Sequence, residues 1–377
     1  MLTLGIIGRS RKENEHRLPV HPDHFDLIPE RLRSAIRFES GYGLPFGVPD
    51  EELTRRFAGV GKRKELMAGS DLVLLPKPLP EDLREQREGG VLWGWPHCVQ
   101  QHEITQVAID RRLTMIAWEA MFGWSANGAR GTHVFERNNE MAGYAGVIHA
   151  LGLVGLDGLY GPRAKAVVLS HGSVSRGSIH ALLARGFADL TVYTQRPPWG
   201  VHDKIPGVRY CRMYQNDSGV SIAVSEDQQE CPLIDVLAET QVIVNGILQD
   251  TDNPLMFMRE GEERRLRSGA LIVDISCDLA MGFPFARPTS FEEPSFEVEN
   301  ATYYAVDHSP SYLWRSATWE LSQAVVPFLP CVMDGPEAWQ QDETIRRSIE
   351  IRDGVIQNPK ILSFQNRSEK YPHQVAG

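Results

Sequence analysis

Short apolar runs alternate with polar or amphipathic stretches along nearly the whole chain, and that alternation predicts strands separated by helices. In the first half, residues 4–7, 35–39, 72–75, 90–95 and 113–118 read as strands, with helices at 23–32, around 51–56 and at 101–111. The run ending at Leu75 is stopped by Pro76-Lys77-Pro78, because proline cannot donate to a ladder. Residues 136–153 contain no proline and carry Ala142, Ala145, Ile148, Ala150 and Leu151 at helical spacing, which predicts a long helix joining two domains. Further strands are expected at 166–169, 190–194, 241–244 and 270–274. Strands alternating with helices imply parallel sheets throughout. Near residues 303–306 the chain is expected to leave the second domain, with a helix at 313–328 crossing back to the first. The predicted architecture is α/β: two Rossmann-like doubly wound domains separated by a cleft, one of them discontinuous (1–135 with 310–377) around a nucleotide domain at 136–309.

The stretch from Ala164 to Pro197 carries the most chemistry. It reads strand, small-residue turn (Ser170-His171-Gly172-Ser173-Val174-Ser175-Arg176-Gly177), helix, strand. In that order a tight turn brings backbone close to a pyrophosphate, and the helix N-terminus directs its N–H groups and positive dipole end toward the phosphates. Ser170, Gly172, Ser173, Val174 and Gly177 are therefore candidate cofactor contacts, with Asn245 and Gly246 after the strand at 241–244. Ser170 stands where the usual fingerprint has its first glycine, and an ordinary βαβ crossover with a small-residue turn has the same order. The second strand ends Tyr193-Thr194-Gln195-Arg196, without the acid that accepts from an NAD ribose. Thr194 and Arg196 favour NADP over NAD, Arg196 offering a forked donor to a 2′-phosphate; the alternative is a solvated surface arginine.

Composition narrows the classes. At 377 residues the chain exceeds one ordinary core, which predicts two domains. A net charge of -10 argues against a nucleic-acid partner. The five cysteines, Cys98, Cys211, Cys231, Cys277 and Cys331, form no CxxC pair and no metal-ligand spacing, so reduced thiols and no metal are expected. No apolar run approaches the ~20 residues of a membrane span, and Met1 to Gly8 reads as a first strand, not a signal peptide. A cytoplasmic protein without membrane partners is the expectation.

In a doubly wound sheet, ligands bind off the carboxyl ends of the strands. Arg17 follows the first strand, Lys77 caps the strand ending at Leu75, and His97 follows the strand ending at Trp95. Each alone is equally well a surface charge or a satisfied histidine. Together, ahead of a dinucleotide turn, they resemble the superfamily of alanine dehydrogenases, saccharopine dehydrogenases and transhydrogenases, and within it the chain looks most like the N5-(carboxyethyl)ornithine synthases. Ser10-Arg11-Lys12-Glu13-Asn14-Glu15, His133-Val134-Phe135-Glu136-Arg137-Asn138-Asn139-Glu140 and Val306-Asp307-His308-Ser309-Pro310-Ser311 carry the likeness. The resemblance implies that Arg17 binds a substrate carboxylate, Lys77 contacts the keto oxygen or imine centre, and His97 is the acid/base. It places Asp278 near the nicotinamide and the reacting carbon, Glu119 toward an amino substrate, Arg130 on a second carboxylate, and His308 among the substrate contacts. Pro78 after the lysine, His308-Ser309-Pro310 in place of Asn-Met-Pro, and Thr194 in place of an acid depart from the alanine-oxidising pattern.

Joining a 2-oxo acid to an amine requires loss of the carbonyl oxygen as water, then hydride transfer to the iminium carbon. A carboxylate anchor, a proton donor and acceptor near neutral pH, and a fixed nicotinamide are needed. Arginine supplies a bidentate fork, and histidine exchanges protons near neutrality. An opine product has two amino-acid ends, and Arg130, His133, Glu119, Asn138 and Asp307 are the polar groups left to hold them. The expected activity is NADPH-dependent condensation of a pyruvate-like 2-oxo acid with the side-chain amine of ornithine or lysine. The rivals are a saccharopine- or alanine-dehydrogenase-type activity and a nucleotide-binding protein without catalysis. The superfamily includes monomers and higher assemblies, which leaves a homo-oligomer open.

Overall fold

The computed structural model describes residues 1–250 and 253–375. Two compact units form, Met1–Glu136 with Trp314–Gly377, and Arg137–Leu313.

The first unit holds an eight-stranded sheet. Its parallel part runs Thr114–Ala117, Val91–Gly94, Leu72–Leu74, Leu4–Ile6, Ile36–Glu39, Val60–Gly61. Numbered along the chain, that is the doubly wound order, and it reverses between Leu4–Ile6 and Leu72–Leu74. Alternate residues face opposite cores: Leu72 and Leu74 pack with Phe25, Phe38 and Trp93, whereas Val73 and Leu75 pack with Met67, Ile109 and Met115. With both faces covered, the strands read as continuous apolar runs.

The second unit repeats the plan. Arg209–Gln215, Asp189–Thr194, Lys165–Leu169, Val242–Asn245, Ala270–Asp274 and Ala301–Tyr304 lie in the same doubly wound order, reversing between Lys165–Leu169 and Val242–Asn245. The reversal leaves a crevice between the strand ends, with Ser170 directly after one strand and Asn245 closing the other. The helix Glu136–Leu153 starts at the close of the first unit's N-terminal segment and continues into the second.

Three expectations need correction. The sheets are not parallel throughout. Ile349–Arg352 pairs antiparallel with both Thr114–Ala117 and Val355–Ile356, and the second sheet carries antiparallel edges through Ser221–Val224, Glu230–Pro232 and Ser295–Val298. Most of these pairs are short hairpins with no crossover helix between their strands, and Ile349–Arg352 reaches Thr114–Ala117 in the segment that returns from the second unit, so no βαβ crossover forces them parallel. Residues 23–32 are not one helix: a 3-10 turn spans Pro22–Leu27, and a single α turn spans Glu30–Arg33. Pro29 breaks the run, driving Ile28 to an extended ψ of 121°. The helix expected at 313–328 is α-helical over Trp314–Val325 and tightens to a 3-10 turn at Val326–Phe328, where Pro327 cannot donate. A hairpin, Phe122–Trp124 with Arg130–His133, was not expected at all.

Candidate active site

In the first unit the site is assembled at the carboxyl ends of Leu4–Ile6, Leu72–Leu74 and Val91–Gly94. The last two strands come unusually close at their ends. A Cβ on Gly94 would lie 1.9 Å from the carbonyl oxygen of Leu75, so only glycine fits. The Trp95 N–H then donates to the Pro76 carbonyl at 2.8 Å, which sets the turns carrying Lys77 and His97 side by side. Lys77 Nζ stands 2.8 Å from His97 Nε2.

His97 adopts a left-handed backbone, φ 49°, which costs a non-glycine residue roughly 1 kcal/mol or more. Its N–H donates to Glu119 Oε1 at 2.6 Å, and its carbonyl accepts from Gln100 and Gln101. Glu119 sits in the 3-10 turn Trp118–Ala120, directly after the strand Thr114–Ala117. Burial, reinforced by the nearby Glu350 carboxylate, pushes the Glu119 carboxyl up to about 8. Its Oε2 is covered and has no hydrogen-bond partner among the described residues.

Arg17 is buried, and Glu15 grips its guanidinium on two sides, Nε to Oε1 at 2.8 Å and Nη2 to Oε2. The guanidinium lies 5.1 Å from the Trp95 ring centre and Lys77 Nζ lies 5.8 Å from it, so one indole positions both cations. Trp95 is itself wedged edge-on against Trp118, 4.7 Å between ring centres. Ser10 Oγ donates to the Lys77 carbonyl at 3.0 Å, tying the loop after the first strand to the lysine turn. Arg17, Lys77, His97 and Glu119 are thus brought together.

Arg130 is exposed on the hairpin, stacked on Phe122 at 4.5 Å. His133, on the same hairpin, is pulled down to about 4 by burial and is neutral at physiological pH.

In the second unit, Ser170 takes φ 92°, the conformation that glycine adopts in the usual fingerprint. Gly172 is the N-cap of the helix Ser173–Ala184, and as a glycine it places no side chain over the first turn. A helix N-terminus opened by glycine at the sheet's reversal point is the kind of place that suits a pyrophosphate. Gly177 serves packing: a Cβ there would fall 1.7 Å from the Glu140 carbonyl oxygen on the neighbouring helix. Thr194 is buried, and Arg196 is exposed with Nη2 donating to the His171 carbonyl at 3.1 Å. The arginine is thereby latched across the turn. His171 is buried, neither ring nitrogen has a partner among the described residues, and burial pulls it down, with Arg176 and Arg196 adding to the effect.

The Asn245 side chain is committed to the fold, donating to Asp274 Oδ1 at 2.9 Å and accepting from Ile247 N–H at 3.1 Å. Gly246 donates its N–H to the Leu169 carbonyl at 3.3 Å, bridging the two strands at the reversal point. Asp274 also takes the Tyr303 hydroxyl at 2.7 Å and the N–H groups of Ser276 and Cys277. That web shapes the turn presenting Asp278, which burial pushes up to about 6. His308 is buried, with Nδ1 2.6 Å from Asp307 Oδ1 and its ring edge-on to Phe291.

Glu15, Trp95, Glu350, Asp274 and His171 were not foreseen as parts of the site. Asp274 had a signal, an acid closing an apolar strand; Trp95 had none beyond its place beside His97.

Two doubly wound units, one with a dinucleotide-type turn and one with clustered Arg, Lys and His at its strand ends, define a two-domain oxidoreductase fold. The chain belongs to the alanine dehydrogenase/PNT family: the N-terminal domain model matches residues 6–142 and the C-terminal domain model residues 164–359. It is 24% identical to N(5)-(carboxyethyl)ornithine synthase of Clostridium botulinum, over 81% of this chain and 90% of that protein. It is 21% identical to alanine dehydrogenase of Mycolicibacterium smegmatis, over 92% of each. A solved L-alanine dehydrogenase has the same fold, with TM-score 0.75 and 18% identity over 96% of this chain and 98% of that one. Among the described residues no helix is long and apolar enough to cross a membrane, and no cluster of metal-binding side chains occurs.

Proposed function

We propose that this protein is an NADPH-dependent opine-type oxidoreductase that condenses a pyruvate-like 2-oxo acid with the side-chain amine of ornithine or lysine. The observation that carries the reading is the Lys77–His97 contact at 2.8 Å, backed by Glu119 and flanked by Arg17. Two basic groups at that distance share a proton readily, which suits a reaction that must expel water and then form an amine. Arg17 anchors the oxo-acid carboxylate, with its fork oriented by Glu15. Lys77 faces the keto oxygen, and His97 protonates the hydroxyl that leaves as the iminium forms. Asp278 is assigned to the positive charge of that iminium, and Arg130, Glu119 and His308 to the amino-acid partner. When bound, the nicotinamide supplies the hydride, and the residues around Gly172, Thr194 and Arg196 hold its dinucleotide. The substrates are small molecules and the setting cytoplasmic.

NADP is preferred in this reading because Thr194 stands where an acid selects NAD and Arg196 is latched beside the turn. Arg196→Ala is expected to erase most of the preference for NADPH over NADH, since a charge-assisted contact contributes on the order of 1.5–3 kcal/mol. Fluorescence titration with both cofactors checks this; equal affinities in the unmutated protein would sink the assignment.

The nitrogen donor decides the reaction. With pyruvate present, NADPH oxidation should require ornithine or lysine and be slow with ammonium, and mass spectrometry should find the condensed product. If ammonium supports turnover as well as any amino acid, the activity is that of an alanine dehydrogenase. The similarity to alanine dehydrogenases makes that the second reading.

A further inference from the structure

The first unit holds a cavity lined by none of Arg17, Lys77, His97 and Glu119. Its volume is about 360 Å³, and it lies at the carboxyl ends of Leu4–Ile6 and Ile36–Glu39, which are neighbours in the parallel sheet. Ligands of doubly wound sheets bind off such strand ends, and the volume is that of a small-molecule pocket. Its apolar wall is Leu18, Tyr42, Leu44 and Pro45, and its charged groups are Arg9 and Glu39. The wall is fixed in place. Tyr42 Oη donates to the Val20 carbonyl at 2.7 Å and accepts from the Val20 N–H at 2.8 Å, and the Gly41 N–H donates to Asp50 Oδ1 at 2.8 Å.

Glu39 closes its strand and is buried, 7% exposed. Its Oε2 accepts the N–H groups of Gly8 and Arg9, each at 2.9 Å, whereas Oε1 accepts no hydrogen bond among the described residues. Arg63 stands 3.8 Å from Oε2 but is committed elsewhere, with Nη2 2.6 Å from Asp82 Oδ1 and Nη1 on the Arg9 carbonyl. The carboxylate is therefore buried with half its acceptor capacity unused and only a shared counter-charge. Arg9 is the reverse case. Its N–H and carbonyl are both held, yet its guanidinium makes no hydrogen bond or ion pair among the described residues. It lies across Gly41, where a Cβ would fall 3.3 Å from Nη2 and 3.4 Å from Leu44 Cδ1. Acid and base thus border one cavity without pairing with each other.

We infer that this cavity binds a free α-amino acid with an apolar side chain, its ammonium on Glu39 and its carboxylate on the Arg9 guanidinium. An α-amino acid carries its two opposite charges on adjoining atoms of one carbon, so it can satisfy a half-used buried acceptor and an unpaired guanidinium fork together. Leu18, Leu44 and Pro45 receive the side chain. The site does not depend on the reaction assigned above, but the chain ties the two together. Leu18 follows Arg17, and Ser10, which follows Arg9, donates through Oγ to the Lys77 carbonyl at 3.0 Å. The occupant therefore holds both ends of the loop 8–18, which carries Arg17.

Isothermal titration calorimetry with L-leucine, isocaproate and isoamylamine tests the site; the last two are leucine without its ammonium and without its carboxylate. Leucine should bind at least about 10-fold more tightly than either, the size of one lost charge-assisted hydrogen bond. Arg9→Met should weaken leucine by a similar factor and leave isoamylamine unchanged. Glu39→Gln, whose amide oxygen can still accept from Gly8 and Arg9, should weaken leucine and isoamylamine and leave isocaproate unchanged. In the unmutated protein leucine should also slow amide hydrogen exchange over 8–18 and 39–45. If Glu39→Gln fails to fold, Arg9→Met with the two analogues decides alone. No heat with millimolar leucine, or equal affinity for either analogue, overturns the proposal. So does leucine binding that is indifferent to Arg9→Met, which would place the amino acid at the cluster around Arg17. Absence of condensation activity would count against the proposed function alone.

Discussion

Replacing His97 by alanine is expected to lower the rate of NADPH-dependent condensation roughly 100-fold or more, because a positioned acid/base contributes about 100- to 10,000-fold. NADPH affinity should stay unchanged, since the dinucleotide turn at residues 170–177 belongs to the other unit. Alanine also alters a left-handed position whose N–H is held by Glu119, so a structural effect must be separated from a chemical one. His97→Asn does this. Asparagine tolerates the left-handed conformation and keeps a polar side chain, but it cannot exchange a proton near neutral pH. Both variants should lose turnover equally while keeping the thermal midpoint within a few degrees. Near-normal turnover in His97→Asn would transfer the proton to Lys77, which lies 2.8 Å away.

The parts of the site that could be read from the residues are those tied to local chain direction. A polar residue following an apolar strand sits at a sheet's carboxyl edge wherever the strand is parallel, so Arg17, Lys77, His97 and the turn at 170–177 could be located without coordinates. Their partners were hidden for different reasons. Glu350 lies between Ile349 and Ile351, and period-two alternation sends such an acid to solvent; one inserted residue in the ladder reverses its face. Trp95 reads as the end of a strand, and only the close approach permitted by Gly94 brings Lys77 over its ring. Asn245 reads as a cofactor contact after a strand, but the buried Asp274, 29 residues away, claims its amide. Glu15 lies two residues from Arg17, a spacing that in an irregular loop says nothing about whether the two side chains meet. Long-range pairings and bulges thus set the electrostatics of this site, whereas sequence order sets its location.

Arg17→Ala is expected to have two separable effects. The first is on the fold. Arg17 and Glu15 side chains are 2% and 0% exposed, and breaking a buried ion pair from one side typically costs about 3–5 kcal/mol. Urea denaturation of Arg17→Ala should show a loss of that order. The second is on binding. Losing an arginine fork that anchors a carboxylate typically removes about 2–5 kcal/mol, so the KM for the oxo acid should rise on the order of 100-fold. The double variant Glu15→Met with Arg17→Met distinguishes them, because replacing both partners of a buried pair by apolar groups of similar volume is often nearly neutral for stability. It should recover most of the folding free energy and none of the affinity for the oxo acid. If the double variant recovers KM together with stability, Arg17 acts only by holding Glu15 and Trp95 in place, and the substrate carboxylate must be anchored by another cation.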